Sequence, residues 1–545
     1  MGLGQTPGEL RMHHWSRYTV FRLIAVLSLA AAGLGYFLNP LWYWALAVFG
    51  PLAALGVWDL IQKDHSILRN YPIIGHIRFL LESVRPELRQ YLIEDERDQI
   101  PFSREQRSLV YQRAKDVLDK QPFGTLKDVN APGYGWIAHS LNPVEPTDYD
   151  FRVWIGGTAC KQPYRASVLN ISGTSFGAVS GNAIEAFNKG AAIGHFAHNT
   201  GEGSISPYHR KHGGDLIWQV ATGYFGCRTP TGKFDPDAFK RQAAIPQVKM
   251  IEIKLSQGAK PGQGGILPKA KISAEIAATR GVSRDEDCVS PAAHSEFKTP
   301  LGLMDFIVRL RDLSGGKPIG LKLAVGHHYE FMAIVKAMIQ SGVSPDFIVV
   351  DGGEGGTGAA PVELMNHVGS PLNEALSMVH DTLVGAGVRD RVRLGASGKI
   401  ISAYDLTRVF ALGADYVMSA RGFMFSVGCI QARSCHTNNC PTGVATQDQT
   451  RQKALNVEDK AQRVANFHRN TLKNFAGVLG AAGLEHPSQV KPMHLRMRQQ
   501  TGVVLRGDDA FMHMDRGALL TGDVEGEMGR EWRRAQADSF EPADV

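Results

Sequence analysis

The stretch PIGLKLAVGHHYEFMAIVKAMIQSGVSPDFIVVDGG, residues 318–353, contains two apolar runs with a helical pattern between them. The runs PIGLKLAV (318–325) and DFIVVDGG (346–353) have the length of strands, and YEFMAIVKAMIQSG (329–342) has the spacing of a helix. Strands that are apolar throughout are typical of a parallel sheet covered on both faces. The stretch therefore predicts a strand–helix–strand unit of an α/β protein.

The same alternation recurs before and after this unit. Further apolar runs end in glycine, serine or polar residues; they are ASVLNISG (166–173), VKMIEIKL (248–255), VRLGASG (392–398) and DYVMSA (415–420). Enough units are visible to predict an eight-stranded (βα)8 TIM barrel with insertions, in which functional residues follow the C-terminal ends of the strands. An open doubly wound sheet is the alternative, but its G-x-G-x-x-G motif is missing between the first strand and helix.

The composition is that of an ordinary globular chain. Of 545 residues, 43% are hydrophobic and 21% are charged, and the formal net charge is +6. The sequence shows no basic run and no alternation of aromatic and basic residues, which argues against nucleic-acid binding. Six cysteines are too few for a disulfide scaffold. Three of them, Cys160, Cys227 and Cys288, are scattered and are interpreted as small buried hydrophobic residues.

Two apolar segments lie near the start of the chain. Residues 19–38 contain a single charge and residues 41–58 contain none, and each is near the roughly 20 residues that span a bilayer. Asn39-Pro40 between them is a turn dipeptide, so residues 19–61 are predicted to form a transmembrane helical hairpin. Basic residues flank its outer ends, which places both ends in the cytoplasm by the positive-inside rule. A signal peptide and a hairpin buried in a soluble core are the alternatives.

The hairpin predicts a location at the cell inner membrane, with the catalytic domain facing the cytoplasm. The polar, Arg- and Glu-rich residues that follow have helical periodicity and are interpreted as a connecting segment. The predicted domains, in chain order, are a cytoplasmic N-terminus (1–18), the hairpin (19–61), the helical connecting segment (62–150), the barrel (151–480) with a cysteine segment inside it (428–447), and a C-terminal extension (481–545).

A glycine-rich sequence, DGGEGGTG (351–358), follows one of the last predicted strands. Gly398 and Gly422 follow the next two strands. The late strand ends of a TIM barrel often form a phosphate site, where glycine backbone amides hold the anion. A flexible loop is the alternative for any single glycine cluster, but three clusters on successive strand ends predict a phosphorylated cofactor.

The cysteine segment GCIQARSCHTNNCPTGVATQ (428–447) contains Cys429, Cys435 and Cys440 in a C-x5-C-x4-C spacing. Four interpretations are open: zinc with His436 as fourth ligand, a 4Fe-4S cluster with a remote fourth ligand, a three-ligand 3Fe-4S cluster, and unligated thiols. Structural zinc sites usually use C-x2–4-C pairs, and a proline after the last cysteine is seen in iron–sulfur runs. The spacing therefore favours iron–sulfur over zinc.

These motifs resemble, in the same order, the FMN-binding synthase barrel of glutamate synthase. The resemblance covers about residues 165–450. Because a glutaminase domain and a long C-terminal β-helix are missing, the chain looks like the stand-alone, membrane-anchored FMN-binding members of that family. The motifs are SGTSFGAVSGNA (172–183), HNTGEG (198–203), IWQVATGYFG (217–226), EIKLSQGAKPGQGG (252–265), SPAAH (290–294), GLKLAV (320–325), DGGEGGTGAAP (351–361) and the cysteine segment.

The resemblance implies a role for individual residues. Glu202 and Lys260 are the implied catalytic residues, and they would bind the substrate together with Gln257 and Arg280. Cationic side chains suit a dianionic substrate; without the resemblance, a solvated loop would be the simpler interpretation. The implied FMN-binding residues are Ser172, Gly173, Thr174, Ser175, Gln219, Lys254, Lys322, Gly352, Gly353, Ser397, Gly398 and Arg421. The implied 3Fe-4S ligands are Cys429, Cys435 and Cys440, which makes His436 a neighbour.

Two positions depart from the family pattern. Ile266 stands where glutamate synthases have a substrate-contacting glutamine, and Ala396-Ser397-Gly398 stands where they usually have Asp-Gly-Gly. The second difference changes hydrogen bonds to the phosphate. The first bears on whether 2-oxoglutarate is the substrate.

The resemblance implies an oxidoreductase of the glutamate synthase type, acting on CH–NH2 donors. Reduced FMN would deliver a hydride to a 2-imino acid, formed from a 2-oxo acid such as 2-oxoglutarate and ammonia or an amine, with electrons entering through the 3Fe-4S cluster. No NAD(P)-binding fingerprint is visible, so a ferredoxin-like or membrane electron donor is expected. Two alternatives stay open: an FMN-dependent dehydrogenase of another substrate that passes electrons to a membrane or protein acceptor, and a non-catalytic electron-transfer subunit.

Overall fold

The computed structural model describes residues 16–95, 101–511, 513–522 and 524–544. The chain divides into two units, one up to residue 95 and one from residue 96 onward. The predicted cytoplasmic N-terminus, 1–18, lies mostly outside the described residues. The boundary between the units falls inside the segment 62–150.

The first unit is helical. Asn39 starts a turn between its two long helices, because its side-chain oxygen accepts a hydrogen bond from the Leu41 amide at 2.9 Å. Gly56 allows these helices to pack closely, since a Cβ there would overlap the Phe21 ring. By length and composition both helices could cross a membrane, and that placement stays a prediction. The α-helices of this unit are Thr19–Phe37, Tyr43–Ile61, Ser66–Asn70 and Gly75–Leu88, and a π-helical turn, Arg89–Ile93, follows.

The second unit contains a closed barrel of eight parallel strands, which confirms the predicted barrel. Strand β8 pairs with β1 and closes the ring, with Val417 opposite Leu169. Two strands, β2 and β3, were not among the apolar runs that predicted the barrel. The strands are β1 (Leu169–Ile171), β2 (His198–Asn199), β3 (Leu216–Val220), β4 (Val248–Lys254), β5 (Ile319–Leu323), β6 (Phe347–Asp351), β7 (Arg393–Ser397) and β8 (Tyr416–Ser419).

The strands are apolar on both faces because each face packs against a different layer. In β6, Ile348 and Val350 belong to the large cluster that includes the surrounding helices, whereas Phe347 and Val349 belong to a separate cluster made mostly by barrel strands. Alternation of side chains along a strand produces this division. It explains why the strands read as uniform apolar runs rather than as alternating ones.

Helices surround the barrel, and the last long one returns to its start. Helix Val457–Ala481 packs against helix Gly181–Gly194, and His468 Nε2 lies 2.9 Å from Ser167 Oγ. The other α-helices are Arg104–Lys115, Pro207–Arg210, Pro236–Ala243, Ala274–Arg280, Pro300–Leu313, His328–Ser341, Val362–His367, Leu372–Gly385, Ala403–Ala411, Arg421–Ser426, Gln449–Lys453, Gly507–Ala510, Ala518–Thr521 and Gly526–Arg534.

Short strands outside the barrel form three small sheets. One of them joins the C-terminal extension to residues before the barrel, since Leu495–Arg498 pairs with both Gly135–Ile137 and Val504–Arg506. The other two are the antiparallel pairs Arg152–Ile155 with Tyr164–Ser167, and Ile266–Leu267 with Cys288–Val289.

Candidate active site at the barrel mouth

An ion pair joins the ends of two barrel strands at the mouth. Lys254 is the last residue of β4, and its Nζ donates hydrogen bonds of 2.8 Å to Glu202 Oε2 and to Gln257 Oε1. Glu202 follows β2 in the turn after Asn199. The structure therefore brings three predicted site residues together at the strand ends, as expected for a TIM barrel.

Three cationic side chains act on Glu202. Burial opposes ionisation of this carboxyl group, but the charges of Lys254, Arg280 and Lys260 outweigh burial and lower its pKa. The close approach of Gly265 encloses the carboxylate further, because a Cβ at that position would overlap Glu202. Glu202 is therefore held as an anion at the centre of a positively charged site.

Lys260 is a buried cation, with 1% of its surface exposed. Burial lowers the pKa of its ammonium group, Glu202 opposes that shift and Lys254 adds to it. Among the described residues, Lys260 Nζ makes no side-chain hydrogen bond. A buried ammonium group without hydrogen-bond acceptors is costly, so its donors suit a bound anion.

Arg280 ends the helix Ala274–Arg280 and points its guanidinium toward the same site. Its Nη2 donates to the Phe176 carbonyl at 2.9 Å, and the guanidinium lies 5.3 Å from the centre of the Phe225 ring. The buried Nε has no hydrogen-bond partner in the described structure. Arg280 is therefore fixed by protein contacts, and one of its buried donors has no partner among the described residues.

Ile266, the position that departs from the family pattern, directly follows Gly265 and begins the short strand Ile266–Leu267. Gly265 lies against the Glu202 carboxylate, so Ile266 is one residue away from the glycine that encloses this carboxylate. Ile266 itself pairs with Val289 in the small antiparallel sheet.

The glycine-rich segment after β6 lies against the end of β7. The Gly352 amide donates to the Ser397 carbonyl at 2.8 Å, and the Gly353 amide donates to the Ser370 carbonyl at 2.8 Å. A Cβ at Gly352 would lie 2.6 Å from Leu372 Cβ and would also overlap the Glu354 carboxylate. Gly398 has a φ of +157°, which is favourable for glycine. The segment therefore tolerates no side chain at Gly352.

Arg421 lies beside this segment at the start of the helix after β8. Its Nη2 donates to the Glu354 carbonyl at 2.6 Å, and its guanidinium lies 4.8 Å from the centre of the Phe102 ring. Burial lowers its pKa to about 10, and Asp351 and Glu354 oppose that shift. The Glu354 carboxylate accepts from the Leu372 amide at 3.0 Å.

Lys322 supplies a cation inside the barrel. Its Nζ lies 3.6 Å from Asp351 Oδ1 and donates to Ser172 Oγ at 3.4 Å. Asp351 also accepts from the Gly258 amide at 2.9 Å. The ends of β1, β5 and β6 therefore meet around one buried charge pair, and these contacts bring two predicted cofactor residues together.

The remaining predicted cofactor residues lie after β1 and in β3. Thr174 Oγ1 lies 2.8 Å from His198 Nε2, and a Cβ at Gly173 would lie 3.4 Å from Gln219 Nε2. The side chain of Ser175 packs against Gly201. The segment Ser172–Ser175 thus faces the turn that carries Glu202 and the strand β3 that carries Gln219.

Sequence reasoning missed a buried acid behind these residues. Glu252 Oε1 in β4 accepts from Gln219 Nε2 at 2.6 Å and from Asn199 Nδ2 at 2.9 Å, while its Oε2 has no partner among the described residues. The feature that could have revealed it is the single acidic residue in the otherwise apolar run VKMIEIKL. Glu252 orients two amide side chains, which a purely apolar strand could not do.

The three clustered cysteines line one small cavity. Burial raises the pKa of Cys429 to about 12 and also raises that of Cys435. Burial opposes ionisation of Cys440 too, but hydrogen bonds from the Ala445 backbone and from Thr442 outweigh it and lower that pKa. Within the described ranges, no three His, Cys, Asp or Glu side chains are placed as a preformed metal site. The cluster therefore stays a prediction.

Lys271 ties the cysteine segment to the barrel, and sequence reasoning missed it. Its Nζ donates to the Ala178 carbonyl after β1 at 2.7 Å and to the Cys435 carbonyl at 3.3 Å. The side chain is buried. A lysine in a loop otherwise indicates only a solvated charge, so nothing local in the sequence identified this contact.

A second cavity, of about 290 Å³, lies between helix Leu372–Gly385 and the C-terminal extension. Its lining includes Asp381, a buried carboxyl group whose pKa burial raises to about 7, while a hydrogen bond from Ser377 opposes the shift. Lys491 and Phe511 of the extension complete the wall on the other side. None of the predicted site residues lines this cavity.

The sequence model "Conserved region in glutamate synthase" matches residues 153–485, and the chain belongs to this glutamate synthase family. It is an enzyme of the oxidoreductase class, as its relatives are. The glutamate synthase large subunit-like protein YerD of Bacillus subtilis is 38% identical over 493 residues, which cover 83% of this chain and 93% of that protein.

Other relatives match the barrel region. The archaeal-type glutamate synthase [NADPH] of Thermotoga neapolitana is 35% identical over 57% of this chain and 58% of its own length, so the chain spans little more than half of that protein. The chloroplastic ferredoxin-dependent glutamate synthase of Spinacia oleracea is 35% identical over 49% of this chain and 15% of its own length. A mutant flavocytochrome b2 with pyruvate bound covers 83% of this chain and 91% of its own, with 13% identity and a TM-score of 0.42.

Proposed function

We propose that this chain reduces a 2-imino acid, formed from a 2-oxo acid and ammonia or an amine, to the corresponding amino acid. The observation that carries the proposal is the convergence of Lys254, Lys260 and Arg280 on Glu202 at the barrel mouth. Three cations around one anion leave a net positive site. Such a site suits a substrate that carries two carboxylates, and 2-oxoglutarate is the proposed 2-oxo acid.

The residues around the mouth fit FMN. Glycine amides at late strand ends suit a phosphate group. The Gly352 and Gly353 amides already donate to the Ser397 and Ser370 carbonyls, so Gly398 after β7 is the proposed phosphate contact, and Gly352 shapes the segment beside it. Lys322 would place a cation beside the flavin ring, from the buried pair that it forms with Asp351. When bound, reduced FMN supplies the hydride of the reaction.

The chain's own residues bind the substrate and move its proton. Lys260 Nζ and the free Arg280 Nε would donate to the substrate carboxylates, because both are buried donors without acceptors in the described structure. Lys254 holds Glu202 Oε2, which leaves Oε1 to accept and return a proton at the substrate nitrogen. Burial excludes water from these groups and strengthens their charge interactions.

The cysteine cavity fits a cluster with three ligands. All three thiols line it, and the backbone and Thr442 hydrogen bonds that favour the Cys440 thiolate are of the kind that stabilises metal-bound sulfur. A 3Fe-4S cluster, when bound, supplies a one-electron relay. The contact of Lys271 with the Cys435 carbonyl supports an entry route for electrons beside the barrel mouth.

The proposed electron donor is a ferredoxin-like protein or a membrane component, and the proposed location is the inner membrane with the barrel in the cytoplasm. Two helices of membrane-spanning length and composition support this placement. The basic residues on both sides of the hairpin support the orientation.

The test uses purified full-length protein with measured FMN and iron contents. Under anaerobic conditions, dithionite supplies electrons, 2-oxoglutarate and ammonium are added, and glutamate is measured. We expect glutamate from the wild-type protein and from Lys211→Met, a surface lysine paired with Glu185, but not from Lys260→Met. If wild-type protein with both cofactors intact forms no glutamate, the substrate assignment is wrong.

Ile266 favours a second candidate, an FMN-dependent dehydrogenase of another substrate that passes electrons outward. An apolar residue beside Gly265 suits a substrate whose side chain lacks a second carboxylate. In that case, 2-oxo or 2-amino acids with apolar side chains would change the flavin spectrum while 2-oxoglutarate would not.

A further inference from the structure

The helix Gly75–Leu88 carries an uncovered apolar stripe. Ile77, Leu80, Leu81, Val84 and Leu88 recur at helical spacing, and each is between 37% and 62% exposed. Residues at i, i+3, i+4 and i+7 lie on one face of a helix, and such a stripe normally packs against a core. Here the stripe is accessible over its whole length.

The π-helical turn Arg89–Ile93 continues the exposed apolar surface. Tyr91, Leu92 and Ile93 are 58%, 77% and 75% exposed. The surface helix, defined here as residues 75–93, therefore presents apolar side chains over five turns. An exposed apolar surface of this length indicates an interaction site.

The surface helix starts at the end of the predicted hairpin. Asp59, in the last turn of helix Tyr43–Ile61, is fully buried; its carboxylate lies 2.9 Å from His76 Nε2 and accepts from the Ile73 amide at 2.8 Å. His76 is the second residue of the surface helix. The first turn of this helix is thus fixed to the point where the hairpin ends, which is the level of the membrane surface.

The surface helix carries three arginines and two acids, Glu82 and Glu87, and the Glu82 carboxylate lies 3.6 Å from Arg85 Nη1. Arg78, Arg85 and Arg89 are spaced by seven and four residues and so lie along one flank of the apolar stripe. All three are exposed. Arginine beside an apolar stripe can extend its charged end to lipid headgroups while its stem covers apolar surface.

We propose that the surface helix lies in the membrane interface, with its apolar stripe against lipid acyl chains and its arginines on anionic headgroups. This inference rests on the membrane anchoring proposed above. It adds a second, lipid-selective contact, placed between the hairpin and the catalytic unit. The partner is a bilayer that contains anionic phospholipid.

The test uses full-length protein in lipid nanodiscs that contain a phospholipid with a photoactivatable diazirine in its acyl chain. After illumination, the lipid adducts are mapped by mass spectrometry. We expect adducts in peptides of the hairpin and in peptides covering residues 77–93. Adducts in the hairpin alone would overturn the inference, and adducts in neither would overturn the anchoring itself, so the two failures are distinct.

Two variants test the two parts of the contact. Leu80→Glu with Leu81→Glu should reduce adducts in the surface helix at least about threefold while those in the hairpin persist, because charged residues leave the acyl region. Phe123→Glu, at an exposed apolar residue of the second unit, is the control and should change neither. Equal adduct yields in the wild type and in both variants would contradict the proposal that the apolar stripe contacts lipid acyl chains.

The arginines are tested by lipid composition. Nanodiscs with phosphatidylglycerol should give about threefold more adducts in the surface helix than nanodiscs of phosphatidylcholine alone, because each basic residue is attracted to an anionic surface. The triple variant Arg78→Gln, Arg85→Gln, Arg89→Gln should lose this difference. A lipid dependence that persists in the triple variant would remove the arginines from the proposal.

Discussion

Glu202 accepts a 2.8 Å hydrogen bond from Lys254, and this pair joins the ends of β2 and β4. The two residues are 52 positions apart in the chain, yet the barrel places both at one edge of the mouth. Lys260 and Arg280 act on the same carboxylate from the loop after β4 and from the end of helix Ala274–Arg280. Removing any one of these four charged side chains therefore changes the electrostatic potential at the other three.

Replacing Glu202 with glutamine should separate binding from turnover. The amide removes the negative charge but keeps the shape, so the cations should bind the dianionic substrate at least as tightly. Turnover should fall by about a hundredfold or more, since general acid–base groups contribute that much. Steady-state kinetics would show a lower kcat with an unchanged or lower KM. Glu275→Gln is the control, because Glu275 is a surface acid that accepts a hydrogen bond from Tyr208. An unchanged kcat in Glu202→Gln would contradict the proposal that Glu202 transfers a proton.

Replacing Lys260 with methionine should stabilise the ligand-free protein and weaken substrate binding. The ammonium group is buried without a hydrogen-bond acceptor among the described residues, so an apolar side chain of similar length removes a desolvation cost. Loss of a charge-assisted hydrogen bond should weaken substrate binding by about 10- to 100-fold. Thermal unfolding and substrate titration measure the two effects. A lower Tm together with normal substrate binding would show that Lys260 stabilises the fold and does not bind the substrate.

Stability should depend on the pH through Asp381. Its folded-state pKa is raised to about 7, above the unfolded value of about 3.9. The folded state therefore binds the proton more tightly, and its stability falls as the pH rises from the unfolded to the folded pKa. The substitution Asp381→Asn should increase the free energy of unfolding by about 2 kcal/mol more at about pH 8 than at about pH 5. Denaturant unfolding at both pH values would show it. Asp390→Asn, at an exposed aspartate, is the control, and its effect on the free energy of unfolding should be the same at the two pH values.

Gly352→Ala should reduce FMN occupancy and stability. The added methyl group would meet Leu372 and Glu354, and Glu354 also accepts from the Leu372 amide. Overpacking of this kind costs about 1–3 kcal/mol. Gly358→Ala is the matched control, since no atom lies within 4 Å of its added Cβ. Equal flavin content in the two variants would argue against a phosphate site here.

Replacing Cys435 with serine should remove the iron–sulfur signal and leave FMN bound. The thiol lines the cysteine cavity, and the predicted flavin site uses other residues. Iron analysis and electron paramagnetic resonance would detect the loss, with Cys160→Ser outside the segment as control. Iron content at the wild-type level would show that this thiol is not a ligand.

The barrel was predictable from sequence because its strands are buried on both faces. Uniform apolar runs such as the one around Phe347 indicate parallel strands whatever their neighbours. Strand β2 was missed because it has two residues, His198 and Asn199, too few for any periodicity. Strand β3 was missed because Gln219 interrupts its apolar run, and that amide is held by Glu252 from the next strand.

The site was predictable only in part. Barrel topology alone places Lys254 and Glu202 at one edge. Lys260 and Arg280 were expected there only from the family resemblance, because their positions depend on the irregular segment between β4 and β5. The contact of Lys271 with Cys435 spans 164 residues. Such contacts follow from packing of the complete chain and leave no local signal.

The return of helix Val457–Ala481 to the start of the barrel has a consequence for biosynthesis. Ser167 and His468 are 301 residues apart in the chain, so β1 lacks its final neighbours until almost the whole protein has left the ribosome. The two apolar N-terminal helices emerge long before that point. Under the proposed anchoring, translation would present the hairpin for membrane insertion while the barrel is still an open, incomplete sheet, so the enzyme would complete its folding at the membrane.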